Sequence, residues 1–227
     1  MKERIKIDSA ILSCIIILTG FLYKFPHLYP NDFASDDRLD FIGLFVVLTG
    51  TFLRMAARGH KKAHSQKGEG LVTTGPYSLT RNPMYLGSFL TGAGFTLIVW
   101  PWWGVVIFSY LFYLRFDLQI KKEEEHLRTL FGKAFAVYVD RVPRIFPRWD
   151  DLREINFKKV FPYADIWSTK EKRGLVSWPL LAILMESFQE QLVFGFTNLS
   201  KTITIFVLSE LIFGAMIWSF YRKSDEA

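Results

Sequence analysis

Two apolar runs, Met84 to Trp100 and Trp102 to about Phe116, are separated only by Pro101. Runs of this kind are helices buried on every side, and one proline between two of them leaves room only for a tight helical hairpin. Ser9 to Tyr23, Phe41 to Ala57 and Thr202 to Tyr221 have the same character. Half of the 227 residues are hydrophobic, and they come in blocks rather than in amphipathic periods. Such blocks need lipid or a large core. In lipid every backbone polar group must be satisfied within the segment, so the expected fold is all-α, a polytopic transmembrane helical bundle.

The first block has about 15 residues where a span usually needs roughly 20, and a signal peptide is the competing reading. Phe25, Pro26, His27 and Leu28 follow it instead of a small-residue cleavage site, which favours a helix. Gly43 and Gly50 in the second block allow close helix packing. The stretch 174–196 is interrupted by Glu186, Gln189, Glu190 and Gln191, so it either spans or lies at an interface. The expectation is about six helices, near 9–23, 41–57, 84–100, 102–131, 174–196 and 202–221, or five if 174–196 is interfacial. The formal net charge is +6, and its distribution tests this layout. Lys2, Arg4 and Lys6, then Arg54, Arg58, Lys61, Lys62, Lys67 and Arg81, then the basic stretch after residue 116 would all face one side. By the positive-inside rule that side is cytoplasmic, with both termini on it. The same distribution argues against nucleic acid as partner. Cys14 is the single cysteine, so no intrachain disulfide can form.

Only two cytoplasmic segments are long enough to form a site. In the first, Gly75-Pro76 marks a turn and Asn82-Pro83 places proline in the first turn of a helix, where its missing N–H costs nothing. In the second, Arg115, Gln119 and Glu123 recur every four residues and share a helix face. Glu123-Glu124-Glu125 follows, Phe131-Gly132 reads as a helix stop, and Val142 to Pro147 is a stiff extended stretch that could cross the mouth of a cavity.

The motif Gly75-Pro76-Tyr77-x-x-x-Arg81-Asn82-Pro83-Met84-Tyr85-Leu86-Gly87 is followed by Glu123-Glu124-x-x-Leu127-x-x-x-Phe131-Gly132 and by Val142-Pro143-Arg144-x-Phe146-Pro147. Together, over residues 69–147, they resemble the isoprenylcysteine carboxyl methyltransferases and their phospholipid methyltransferase relatives. The resemblance implies S-adenosylmethionine (SAM) as cofactor, in a pocket at the cytoplasmic face. Matching positions place Leu71, Val72, Tyr77, Asn82, Pro83, Met84 and Tyr85 around it, with Glu123 and Glu124 at its charged methionine portion. It also implies methyl transfer to a lipidic or small membrane-associated acceptor: a prenylcysteine carboxylate, a phospholipid amine or a thiol. Gly92-Ala93-Gly94 resembles the phospholipid enzymes' glycine motif and equally suits helix packing.

Three positions depart from that pattern. Glu69 and Asn82 stand where the prenylcysteine enzymes carry histidine, and Gln119 stands where an arginine would meet the acceptor carboxylate. A neutral amide cannot make arginine's bidentate charged contact, so Gln119 and Arg115, one turn earlier, are the candidates for positioning the acceptor. Two other functions stay open. Arg81-x-Pro83-x-Tyr85 is also similar to an NADPH-dependent membrane reductase of the sterol-reductase type, and a non-catalytic bundle binding lipid or a partner would tolerate Gln119. Residues 1–150 form the expected methyltransferase core and 151–227 a basic, aromatic connector with two helices. The connector suits an anionic interface or is an ordinary loop, and Gly195 and Gly214 offer faces for a homodimer. No metal site is expected, since His27, His60, His64 and His126 form no cluster in sequence and His60 and His64 read as solvated loop residues.

Overall fold

The computed structural model describes residue 15 and residues 17–29, 33–65 and 69–224. Among these the chain is helical and contains no strand. The long helices are α1 (Phe33–His64), α2 (Pro83–Val99) and α3 (Gly104–Arg141). Three short ones follow, α4 (Trp149–Arg153), α5 (Phe157–Val160) and α6 (Tyr163–Trp167), and then α7 (Gly174–Val193) and α8 (Leu199–Lys223). Of the first expected helix, 17–22 is helical and most of the remainder lies outside the described residues.

Asp36–His64 and Leu199–Lys223 are the two described helices long and apolar enough to cross a membrane; Pro83–Val99 is apolar but shorter. The outer face of α8 exposes Ile203, Val207, Leu208, Leu211, Ile212 and Trp218, and the first half of α3 exposes Val106, Ile107, Tyr110, Leu111 and Leu114. Continuous apolar surface of this kind is not what a monomer presents to water.

The hairpin between α2 and α3 turns as expected at 100–103, with the Gly104 amide bonding the Pro101 carbonyl at 2.7 Å. Small residues set the packing of α1 on α2. A Cβ added at Gly50 would stand 2.5 Å from the Gly87 carbonyl oxygen, and one at Gly43 would stand 2.8 Å from that of Gly94. Backbone therefore lies on backbone at two levels, two turns apart, as in other small-residue helix contacts. Leu44, Val47 and Leu48 then meet Ile98, Val99 and Trp100, and α7 and α8 close the core through Ala182, Phe206 and Phe213.

Two elements run further than their sequence pattern predicts. α1 does not end at Ala57 but continues through a polar stretch to His64. That extension is held from one side by the connector, which is not a loose loop but folds into short helices packed on α1. Phe157 and Phe161 are buried with Met55, Ala56, Leu79 and Ile166, and the Phe52 ring stacks on Phe157 at 6.0 Å. α3 in turn runs past the expected stop. Gly132 adopts φ 49°, ψ −119°, a conformation essentially restricted to glycine, and the chain resumes its helix after it. The Arg81 side chain reaches both Glu124, eight residues before Gly132, and the Val139 carbonyl, seven after. α3 is therefore folded back on itself at Gly132, with a first arm of about 42 Å and a return arm of about 14 Å.

Candidate active site

A cavity of about 920 Å³ opens between the polar end of α1, the start of α2 and the middle of α3. Pro83 opens α2 with Asn82 as its N-cap residue, so the sequence Asn82-Pro83-Met84-Tyr85 is laid along the cavity wall. Ahead of it Gly75–Ser78 forms one 3-10 turn that buries Tyr77. That turn is fastened from outside: the Tyr138 hydroxyl donates to the Tyr77 carbonyl at 2.7 Å. Burial, and then the Glu123 charge, push the Tyr77 phenol well above its ordinary pKa, so it stays a neutral hydrogen-bonding group.

The predicted face of α3 is present. Arg115, Gln119 and Glu123 line one wall, and Tyr77, Asn82, Pro83, Met84 and Tyr85 line the facing one. The Tyr85 hydroxyl donates to Glu123 Oε1 at 2.7 Å and the Gln119 amide donates to the same oxygen at 2.8 Å. Gln119 thus holds Glu123 rather than reaching across the cavity.

Three of the sequence-derived candidates lie elsewhere. Leu71 packs with Phe135, Tyr138 and Val142 under the return arm of α3, and neither it nor Val72 lines the cavity. Glu124 points away from it. Its Oε1 accepts from Arg81 Nε at 3.1 Å and from the Asn82 side-chain amide at 2.9 Å, and its Oε2 lies 3.5 Å from Arg144. Arg144 also donates to Asp117 at 2.6 Å. Lys121 and then Arg144, both hydrogen-bonded to Asp117, hold that carboxyl below its usual range. The stretch after Val142 is strapped down by the same group of residues. The Pro143 carbonyl accepts from the Arg81 amide at 2.9 Å, and that of Arg144 accepts from Asn82 at 3.0 Å and Thr80 at 3.2 Å.

Sequence reasoning missed the basic wall. Arg54, Arg58 and Lys61 line the cavity from α1, and their spacing of four and then three residues is a helical face. The polar stretch 58–64 hides it, because by composition that stretch reads as loop and not as the continuation of the helix. Arg54 and Arg58 are aimed by Glu171 of the connector, at 3.1 and 3.0 Å, and Arg54 also donates to Ser88 of α2. His60 and His64 are corrected with them. Both lie in α1, and His60 is buried, its ring nitrogens 2.8 Å from Asp165 and 3.0 Å from Thr74. His64 stacks on it, and with Asp165 the pair brings its ligand atoms within 4.8 Å, a cluster that the sequence did not reveal. The two histidines are a joint between α1, the 75–78 turn and the connector.

The cavity thus has one carboxylate wall and one basic wall, with phenols between them. Residues 40–134, which carry nearly all of its lining, match the family model described as phospholipid methyltransferase. The chain is also 31% identical, over 142 residues, to the protein-S-isoprenylcysteine O-methyltransferase of Saccharomyces cerevisiae, covering 59% of this chain and 58% of that one. The chain is thus similar to both the phospholipid and the isoprenylcysteine methyltransferases. It is also 26% identical over 141 residues to protein-S-isoprenylcysteine O-methyltransferase B of Arabidopsis thaliana, covering 61% of this chain and 72% of that one. A nickel-cobalt-cadmium resistance protein, NccN, of Alcaligenes xylosoxydans xylosoxydans is 34% identical over 149 residues, covering 65% and 66%. The chain spans 58% and 55% of the length of the Saccharomyces cerevisiae and Schizosaccharomyces pombe methyltransferases it matches. No solved structure matches it significantly. The family-model match ends at residue 134, so the strap at 142–147 and the whole connector lie beyond it.

Proposed function

We propose that this chain is a membrane methyltransferase that uses SAM and acts on a lipidic or small membrane-associated acceptor. The observation that carries the reading is the division of the cavity, with Glu123 on one wall and Arg54, Arg58 and Lys61 on the other. SAM is a zwitterion with an additional sulfonium charge, and this donor set fits it. Tyr85 and Gln119 both occupy Oε1 of Glu123, orienting the carboxylate so that Oε2 can accept from an ammonium. The basic wall suits a carboxylate, and Tyr77 and Tyr85 supply aromatic faces that attract a sulfonium. When bound, SAM supplies an electrophilic methyl group. Transfer is an in-line displacement, so the residues' task is alignment rather than proton transfer. The buried Tyr77 and the strapped Asn82 give a wall that does not shift, and Glu123 fixes one end of the ligand.

The basic surplus in the cavity also favours an acceptor with an anionic or electron-rich head. Arg115, one turn from Gln119 on the same wall, is the residue in position to meet such a head. The family's membrane setting and the exposed apolar faces of α3 and α8 support a bundle of about six helices, with both termini and the cavity on the cytoplasmic side.

Calorimetry on the detergent-solubilised protein tests the reading. SAM should bind in the micromolar range. Glu123→Ala, which loses a charge-assisted hydrogen bond of about 1.5–3 kcal/mol, should bind it roughly 10- to 100-fold more weakly. A wild-type protein that binds no SAM would sink the proposal. Labelled SAM with total membrane lipids then reports the acceptor class.

A further inference from the structure

The end of the bundle remote from the cavity holds a second polar cluster. Asp36 and Asp40 lie one turn apart on α1, facing Glu186, Gln189 and Glu190 of α7. All five are buried, with exposures from 0% to 5%. One oxygen from each of Asp36, Asp40 and Glu186 lies within 4.8 Å of the others. Glu186, which is 0% exposed, is hydrogen-bonded only to the Asp40 carboxyl and to no amide, hydroxyl or cationic donor, and Oε1 of Gln189, which is 1% exposed, meets no donor at all. Gln189 spends its amide on Asp36, Glu190 accepts from the Asn198 amide at 3.1 Å, and Lys201 is engaged by Asp37 at 2.5 Å.

Burying a carboxylate without a cationic partner is strongly unfavourable, and gathering three of them within 4.8 Å adds their mutual repulsion. Burial of this kind persists when something neutralises the group as a whole. The donors are all oxygens, three carboxylates and one amide, which is the chemistry of a hard cation and not of zinc or copper. Oxygens placed so can share one ion, since ligands about 2.4 Å from a calcium ion lie no more than about 4.8 Å apart. We propose that Asp36, Asp40, Glu186 and the Gln189 amide oxygen form a site for a hard divalent cation of the calcium type, which staples α1 to α7. The site stands about 21 Å along α1 from Arg54, from fourteen residues of helical rise, and half of it comes from α7, outside the 40–134 match. It does not rest on the methyltransferase reading.

The test uses the full chain in detergent, stripped with EDTA and then titrated with calcium or magnesium chloride while thermal unfolding is followed. Calcium should raise the unfolding midpoint by several degrees, by binding the folded state alone. Glu186→Gln should unfold at a higher temperature than wild type without cation, since it removes a repelled buried charge, and should not respond to calcium. Asp40→Asn is the second variant, with the same expected pattern. Equilibrium dialysis with radioactive calcium should give one ion per chain for wild type and none for Glu186→Gln. The proposal is overturned if calcium leaves the wild-type midpoint unchanged, or shifts both variants as much as wild type. It is equally overturned if the midpoint follows pH but no cation, which would assign the cluster to protons. Magnesium acting where calcium does not would overturn the calcium-type assignment.

Discussion

Glu123 and Glu124 are adjacent in the chain and do opposite things. Glu123 stands in the cavity, steadied by a phenol and an amide, whereas Glu124 closes an ionic latch with Arg81, Asn82 and Arg144. Neutralising each should separate the two roles. Glu124→Gln leaves Arg81 and Arg144 underpaired in a part-buried place, and should cost about 2 kcal/mol of stability with SAM affinity little changed at low temperature. Glu123→Gln should leave the unfolding midpoint near wild type and weaken SAM binding. Paired calorimetric and denaturation measurements check both. Asp117 gives the latch its pH dependence. Its carboxyl is depressed by Lys121 and Arg144, and a depressed carboxylate stabilises the fold above its unfolded pKa and loses that contribution as pH falls through the folded one. Wild type should therefore be more stable than Asp117→Asn at pH 7, and the gap should close as pH drops below about 4. A gap that persists in acid would deny the latch its ionic character.

Among the helices, what was legible in the sequence was what local physics decides. The α2–α3 hairpin follows from one proline between apolar runs, the start of α2 from Asn82-Pro83, and the glycine contacts from Gly43 and Gly50. What was not legible depends on partners distant in the chain. The stretch from Arg58 to His64 reads as loop because it is polar, yet it is helix because Glu171 and Asp165 arrive more than 100 residues later to hold it. Asp36 and Asp40 precede the expected helix 41–57, and it is α7 that buries them. Within the site, the shared face of Arg115, Gln119 and Glu123 followed from a four-residue period, whereas the turning of Glu124 toward Arg144 did not. Gly132 falls between the two cases, since the sequence marked the break but not the return arm. Gly132→Ala should cost about 1–3 kcal/mol, and it should loosen the arm that carries Tyr138. Hydrogen exchange at 133–141 should speed up in this variant while that of α2 stays as in wild type.

Taken whole, the molecule is a bundle whose C-terminal third reaches back to complete the site, for Arg54 and Arg58 are aimed by Glu171. The proposed orientation can be mapped with single cysteines in a Cys14→Ala background. Cysteine at Ser168 should react with a membrane-impermeant thiol reagent only from the cytoplasmic side, and cysteine at Asp37 only from the other. Labelling of both from one side would refute the topology. The length of α1 gives that orientation a further meaning. Its 32 residues make a rod of about 48 Å, against a hydrocarbon layer of about 30 Å. The excess of some 18 Å, or about twelve residues, is divided between the acidic end that carries Asp36 and Asp37 and the basic end that carries Arg58 and Lys61 to the cavity. In the proposed orientation the cavity stands at headgroup height, with the bilayer acting as a depth gauge. For the proposed methyltransferase, an acceptor would be selected by how far its reactive end rises above the tail that anchors it, so molecules with the same head and no tail would arrive without their ruler.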